Sequence, residues 1–78
     1  MQRFGFFLVP GFSMLSLAAA VEPLRMANAQ AQEELYQWEF LSWDDIPVSA
    51  SNQMVTAPTI NVDEVKVLDV LLIVAGIN

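Results

Sequence analysis

Two nearly unbroken apolar runs, one near each end of the chain, constrain the fold most strongly. Residues 4–9 read Phe-Gly-Phe-Phe-Leu-Val, and residues 67–74 read Val-Leu-Asp-Val-Leu-Leu-Ile-Val. Such runs are typical of strands buried on both faces, as in the centre of a parallel sheet covered by helices. A glycine-containing turn follows each run, at Gly11 and Gly76. Because no covering helix follows the second run before Asn78, we expect the opening portion of an α/β domain.

Between these runs the pattern predicts one long helix and several short strands. Ser13 is the predicted N-cap of the helix, and an apolar stripe recurs at helical spacing through Leu17 and Val21. No linker or repeat divides the chain, so residues 1–78 form one folding unit or part of one. The predicted elements are a strand over 3–9, a helix over 14–32, a strand over 35–43, short strands within 47–57 and a strand over 67–75.

Composition excludes several kinds of site from this segment. The chain has no Cys and no His, so disulfides, thiolate metal sites, a cysteine nucleophile and a histidine relay cannot be built from it. Nine acidic residues against three basic ones give a net charge of −6. Phosphate backbones repel such a surface, so we expect no nucleic-acid contact from these residues.

The apolar N-terminus resembles a signal peptide in part, because Arg3 precedes an apolar stretch that ends at Ala18-Ala19-Ala20. Pro10-Gly11 interrupts that stretch, and the helical pattern continues beyond Ala20. The C-terminal apolar run is shorter than the roughly 20 residues that cross a bilayer. We therefore interpret both runs as core strands and expect neither secretion nor membrane insertion.

Motifs for cofactors and metals are missing from the expected places. Neither apolar strand is followed by a G-x-G-x-x-G or P-loop pattern, so we expect no nucleotide cofactor. The acidic pairs Asp44-Asp45 and Asp63-Glu64 lie in predicted turns and lack the alternating spacing of a calcium loop. We interpret them as solvated turn residues and predict no metal site.

The order of elements indicates where a ligand site would lie. In open α/β sheets, ligands bind outside the carboxyl ends of the strands, and here those ends are the turns at 10–13 and 75–78. N–H groups at the start of the helix could meet a ligand carboxylate there. A purely structural role, with Ser13 as a cap and Gly11 as a turn residue, remains the alternative. The candidate ligand-binding residues are Gly11, Phe12, Ser13, Ser16, Gly76 and Asn78.

Several segments together resemble a known group of proteins. The segments Phe-Gly-Phe-Phe-Leu-Val-Pro-Gly-Phe-Ser (4–13) and Glu-Pro-Leu-Arg-Met-Ala-Asn (22–28) resemble the amidotransferase-like N-terminal domain of AraC-family transcription regulators. The likeness extends through Tyr-Gln-Trp (36–38), Pro-Val-Ser-Ala-Ser (47–51), Thr-Ala-Pro (56–58) and 68–76. It implies a flavodoxin-like, three-layer α/β fold, shared with PfpI-type proteins and class I glutamine amidotransferases, of which this chain is the N-terminal portion.

The same resemblance implies that catalytic features are absent. The superfamily's enzymes carry a nucleophilic Cys after the strand that here ends at Val74, and this chain ends before that position. Ser16 matches the position of the carboxylate that assists the Cys. Ala75-Gly76-Ile77 matches the Pro-Gly-Gly of the enzymes' oxyanion loop and keeps one glycine. The resemblance therefore implies a non-catalytic domain that keeps the pocket for sensing.

The leading hypothesis is thus a partial ligand-sensing and dimerisation domain of a cytoplasmic transcription regulator. The resemblance implies a small-metabolite effector, such as an amino acid or a quaternary amine. It implies DNA binding only through a C-terminal helix-turn-helix domain, which these residues do not include. One alternative is a fragment of a cysteine-dependent hydrolase or amidotransferase of the same superfamily. Another is a complete small protein that hides its sheet edges by forming a dimer.

Overall fold

The computed structural model describes residues 1–76, and Ile77 and Asn78 lie outside the described residues. Its elements are β1 (Gln2–Leu8), α1 (Met14–Ala31), β2 (Tyr36–Ser42), β3 (Val48–Ser49), β4 (Val55–Thr56) and β5 (Val70–Val74). Short 3₁₀ turns occupy Trp43–Asp45 and Val62–Glu64. The last strand begins at Val70 rather than at the predicted residue 67, because the preceding residues belong to the crossover that enters it.

Three parallel strands form the main sheet in the order β2-β1-β5, so β1 is the central strand. Phe6 aligns with Phe40 of β2 and with Leu72 of β5. β3 and β4 pair separately as an antiparallel hairpin. The α/β class predicted from the sequence is confirmed by this parallel sheet and its helix.

The core lies between α1 and one face of the sheet. Phe6 and Leu8 of β1 are fully buried there, and Leu17 of α1 packs into the same cluster. Partly buried side chains of the predicted helical stripe, including Val21 and Leu24, complete the contact. Full burial of a side chain of this size stabilises the fold by about 1.5–3 kcal/mol. The cluster therefore fixes how α1 lies on β1.

β5 differs from the buried strand that its sequence predicted. Leu71 is 53% exposed and Ile73 is 62% exposed, whereas Val74 at the end of the strand is buried. Within residues 1–76, β5 has a neighbouring strand on one side only, and α1 covers the face of the sheet opposite to Leu71 and Ile73. Gly5 of the central strand is paired with Leu71 of β5. A Cβ added at Gly5 would collide with the Leu68 side chain, so Leu68 of the crossover partly covers the central strand there.

Asn28 fastens the end of α1 to the start of β2. Its Oδ1 accepts hydrogen bonds from the N–H groups of Leu35 (2.9 Å) and Tyr36 (3.0 Å), and its Nδ2 donates to the Tyr36 carbonyl (3.0 Å). Gln32 adopts a left-handed conformation with φ of 54°, which ends the helix. One partly buried amide thus satisfies three backbone groups at this junction.

Asp69 holds the opposite end of the sheet. Its N–H donates to the Arg3 carbonyl at 2.8 Å, and its carboxylate accepts from the Arg3 N–H at 2.7 Å.

Within residues 1–76, no helix combines the length and the apolar character that a membrane crossing needs.

Replacing Asn28 with Ala should destabilise the fold by about 1–3 kcal/mol, because two N–H groups and one carbonyl lose their partner. Urea unfolding followed by circular dichroism measures this loss. Asn28→Asp keeps an acceptor for both N–H groups and should lose less. Gln30→Ala changes an exposed residue of the same helix and should stay within about 0.5 kcal/mol. Equal losses for Asn28→Ala and Gln30→Ala would contradict this role of Asn28.

Candidate functional site

The carboxyl ends of β1 and β5 meet at one end of the sheet, because the two strands are parallel neighbours. The turn after β1 leads directly into α1, so the N-terminus of the helix faces the same region. This is the place where open α/β sheets bind ligands. The topology therefore places the turn after β1 and the turn after β5, both of which the sequence predicts as parts of a ligand site, at one end of the sheet.

Three backbone hydrogen bonds join the turn after β1 to its surroundings. The Gly11 N–H donates to the Ser49 carbonyl (2.8 Å), and the Ser51 N–H donates to the Phe12 carbonyl (2.8 Å). On the other side, the Ser13 N–H donates to the Ala75 carbonyl (3.2 Å). The turn is thus held between the β3–β4 hairpin and the end of β5.

An open cleft of about 430 Å³ lies beside this turn. Three serines and two small apolar residues line it, and none of these described side chains is ionisable. The lining residues are Ser13, Ser16, Ser51, Ala75 and Gly76.

The first turn of α1 lies beside the cleft, which Ser13 and Ser16 line. Ser13 caps the helix, since its Oγ accepts from the Ser16 N–H at 3.2 Å. Over residues 1–76, no hydrogen bond is found from the N–H groups of Met14 or Leu15, which the first turn of a helix leaves free. The helix also has no acidic residue in its first turn. A ligand acceptor, a carboxylate in particular, fits this end of the cleft.

The predicted site residues fall into four groups. Ser13, Ser16 and Gly76 line the cleft together. Phe12 does not line the cleft: its side chain is fully buried in the core and contributes packing, and its carbonyl accepts from the Ser51 N–H. Gly11 has φ of 82°, a left-handed conformation that favours glycine, and it serves the turn. Asn78 lies outside the described residues.

Gly76 has a steric role that the sequence did not reveal. A Cβ added there would overlap the carbonyl oxygen of Gly11, which is a backbone atom and cannot rotate away. The close approach of the 75–76 segment to the turn after β1 therefore requires glycine at this position.

Ser51 was not among the predicted site residues. It lies at the tip of the β3–β4 hairpin, whose position against the turn after β1 depends on contacts about 40 residues apart in sequence. The sequence predicts short strands within 47–57, but nothing in the pattern of this segment indicates which end of the sheet it reaches.

The acidic turns form no metal centre among residues 1–76, where no group of three or more potential ligands is placed for one. Asp44 and Asp45 both have positive φ, and the Asp45 carboxylate accepts from the Val62 N–H at 2.8 Å. That carboxylate ties the turn after β2 to the crossover.

Similar proteins are transcription regulators. No protein-family model matches the chain. The chain is 41% identical over 77 residues to the HTH-type transcriptional regulator GbdR of Pseudomonas aeruginosa, covering 99% of this chain and 21% of GbdR. It is 45% identical over 75 residues to the HTH-type transcriptional regulator CdhR of the same organism, covering 96% of this chain and 22% of CdhR. The chain thus spans about a fifth of the length of these relatives.

The fold of the chain is also similar to solved structures, one of which is a transcription regulator. An AraC family transcriptional regulator from Pseudomonas putida matches with a TM-score of 0.88 and 28% identity, over 100% of this chain and 42% of that one. A DJ-1 superfamily protein from Agrobacterium tumefaciens matches with a TM-score of 0.63 and 22% identity, over 97% of this chain and 38% of that one, and it shows the fold alone. The predicted resemblance to AraC-family regulators and the flavodoxin-like N-terminal portion are confirmed.

Gly76→Ala should destabilise the fold by about 1–3 kcal/mol, because the new Cβ must push the turn after β1 away from β5. Urea unfolding gives the loss, and the amide resonance of Ser13 reports the broken contact to Ala75. Ala75→Ser adds one oxygen at an exposed neighbour and should stay within about 0.5 kcal/mol. An unchanged Ser13 resonance in Gly76→Ala would contradict the close approach.

Proposed function

We propose that this chain is the N-terminal part of a ligand-sensing domain of a bacterial transcription regulator, and that it is not catalytic. A small polar metabolite binds in the cleft lined by Ser13, Ser16, Ser51, Ala75 and Gly76. The observation that carries the proposal is the convergence of the helix N-terminus, the β5 turn and the hairpin tip on one cleft. The regulator relatives, which share 41–45% identity with the chain, support the biological setting.

The chemistry of the cleft favours binding. Serine hydroxyls donate and accept hydrogen bonds, and backbone N–H groups donate them. Near neutral pH neither group serves as a general acid or base without an activating neighbour. Ser16, which the sequence resemblance places where the enzymes have a carboxylate, lines this cleft with an exposed hydroxyl-bearing side chain. A ligand carboxylate at the first turn of α1 and a polar group near Ser51 fit these donors and acceptors.

The wider setting is part of the same proposal. The regulator acts in the cytoplasm, forms a homodimer, and contacts DNA through a helix-turn-helix domain outside these 78 residues. The net charge of −6 supports that division of labour, because this part of the protein repels a phosphate backbone.

Ligand binding is tested by titrating the ¹⁵N-labelled chain with glycine, L-glutamate and choline. We expect at least one of these probes to shift the amide resonances of Ser13, Ser16, Ser51 and Gly76 together. Ser16→Tyr fills the cleft with a ring and should abolish those shifts. Ala19→Tyr adds the same ring at an exposed position of α1 outside the cleft lining and should leave them unchanged.

Shifts scattered over other parts of the chain, or equal effects of the two tyrosine variants, would contradict a site in this cleft. The regulator setting is tested separately by the reading frame downstream of Asn78. A basic helix-turn-helix region there supports the proposal, whereas a cysteine on a strand-to-helix turn directly after β5 would contradict the non-catalytic assignment.

A further inference from the structure

We propose that this chain has a second ligand site, in a cavity between the sheet and the crossover that leads from β4 to β5 (residues 57–69). Its ligand is a small α-amino acid with an aliphatic side chain, bound as a zwitterion. This site goes beyond the proposed function, because it lies near the amino ends of β1 and β2 and the cleft lies at the opposite end of the sheet.

The cavity has a volume of about 230 Å³ and is lined by β1, β2 and the crossover, and by no residue of β5. Glu39 is the register partner of Gly5, and Arg3 precedes Gly5 by two residues, so the side chains of Arg3 and Glu39 lie on the Gly5 face of the sheet. A Cβ added at Gly5 would meet Leu68. The cavity therefore lies on the face that the crossover covers, opposite to α1.

Charged groups of both signs line this cavity. Arg3 and Lys66 are two of the three basic residues of the chain, and Glu39 and Glu64 contribute carboxylates. The Thr59 hydroxyl donates a hydrogen bond to the Glu39 carboxylate, which is therefore already engaged. Within residues 1–76, the other three charged groups make no ion pair or hydrogen bond with a second side chain.

The third basic residue shows the contrast. Arg25 lies on α1 and forms an ion pair with Glu22, which precedes it by three residues. Arg3 and Lys66 share a cavity with two carboxylates and pair with neither of them. Their charges are therefore available to a ligand.

Apolar side chains complete the lining. Ile60, Val65 and Leu68 of the crossover are half-buried at the cavity. A mainly apolar wall with a few convergent polar groups is the usual composition of a small-molecule site. Because the volume is below the roughly 300–1,000 Å³ of sites for drug-sized molecules, the ligand is small.

An aliphatic amino acid matches this lining group by group. Its carboxylate pairs with Arg3 and Lys66, and its ammonium group pairs with Glu64. Its side chain packs against Ile60 and Leu68. A simple carboxylate would add a like charge beside Glu64, and a simple amine would add one beside the two cations. The mixed charges therefore select a zwitterion over an ion of either sign.

The two sites can be tested separately because they are far apart. Arg3 lies near the start of β1, whereas Ser13 and Ser16 follow the end of the same strand. A strand of this length spans about 20 Å. Amide resonances from the two ends of the sheet therefore report the two sites independently.

Titration of the ¹⁵N-labelled chain with L-leucine, from about 0.1 to about 20 mM, tests the second site. We expect the cleft resonances to stay unchanged and one set of amide resonances to shift together, namely those of Arg3, Glu39, Lys66 and Leu68. 4-Methylpentanoate lacks the ammonium group of leucine, and 3-methylbutylamine lacks the carboxylate. Each should bind at least about fivefold more weakly than L-leucine, because each loses one set of charge-assisted contacts.

Two matched substitutions separate a specific contact from a general effect of charge. Arg3→Gln removes the guanidinium but keeps the backbone hydrogen bonds of residue 3 to Asp69, and it should weaken L-leucine binding at least about fivefold. Arg25→Gln makes the same change in net charge on α1, outside the cavity lining, and should change binding less than about twofold.

Glu64→Gln tests the assignment of the ammonium group. This variant should weaken L-leucine binding, because the ammonium group loses its partner carboxylate. It should strengthen the binding of 4-methylpentanoate, because a like charge is removed from beside the ligand carboxylate. The same amide titrations measure both changes.

The outcomes distinguish this site from the proposed cleft. No shift with L-leucine at about 20 mM, or shifts confined to the cleft residues, would overturn the second site. Equal effects of Arg3→Gln and Arg25→Gln would also overturn it, and a Glu64→Gln variant that weakens both ligands alike would overturn the zwitterion assignment. Cavity shifts with L-leucine, together with no cleft shifts for any probe, would support this site and contradict only the proposed function.

Discussion

The backbone hydrogen bonds made by the turn after β1 are the interaction on which the rest of the arrangement depends. β1 lies between β2 and β5, and its following turn binds the hairpin on one side and the end of β5 on the other. Those bonds set the start of α1, and α1 in turn covers the core around Phe6. The same contacts create the cleft, so the fold and the candidate site share one structural origin.

Features that depend on local pattern could be predicted from the sequence. Three such features are the apolar run of β1, the helical stripe through Leu17 and the cap at Ser13. Each depends only on residues that are close in sequence, so hydrophobic periodicity and capping preferences predict it. The carboxyl-end location of a site follows from parallel pairing, and Ser13, Ser16 and Gly76 do line one cleft. Here the local and the global preferences agree.

Features that depend on distant contacts could not be predicted. Ser51 reaches the cleft because the hairpin packs on the turn after β1, and no local pattern encodes that docking. Phe12 was expected at the site, but its side chain has an apolar core available and is buried there. The apolar sequence of β5 is typical of a central strand, but Leu71 and Ile73 are exposed within residues 1–76. An apolar run shows that a strand is suited to burial, and it does not show which residues cover the strand.

Amide hydrogen exchange of Gly11, Ser13 and Ser51 tests the central claim most directly. These three N–H groups make the bonds that join the turn, the hairpin and β5. If the three segments form one cooperative unit, their exchange is slowed and their opening free energies agree with one another and with that of the β1 amides. Exchange of any of the three at the rate of an unfolded chain, while the β1 amides stay protected, would contradict the account.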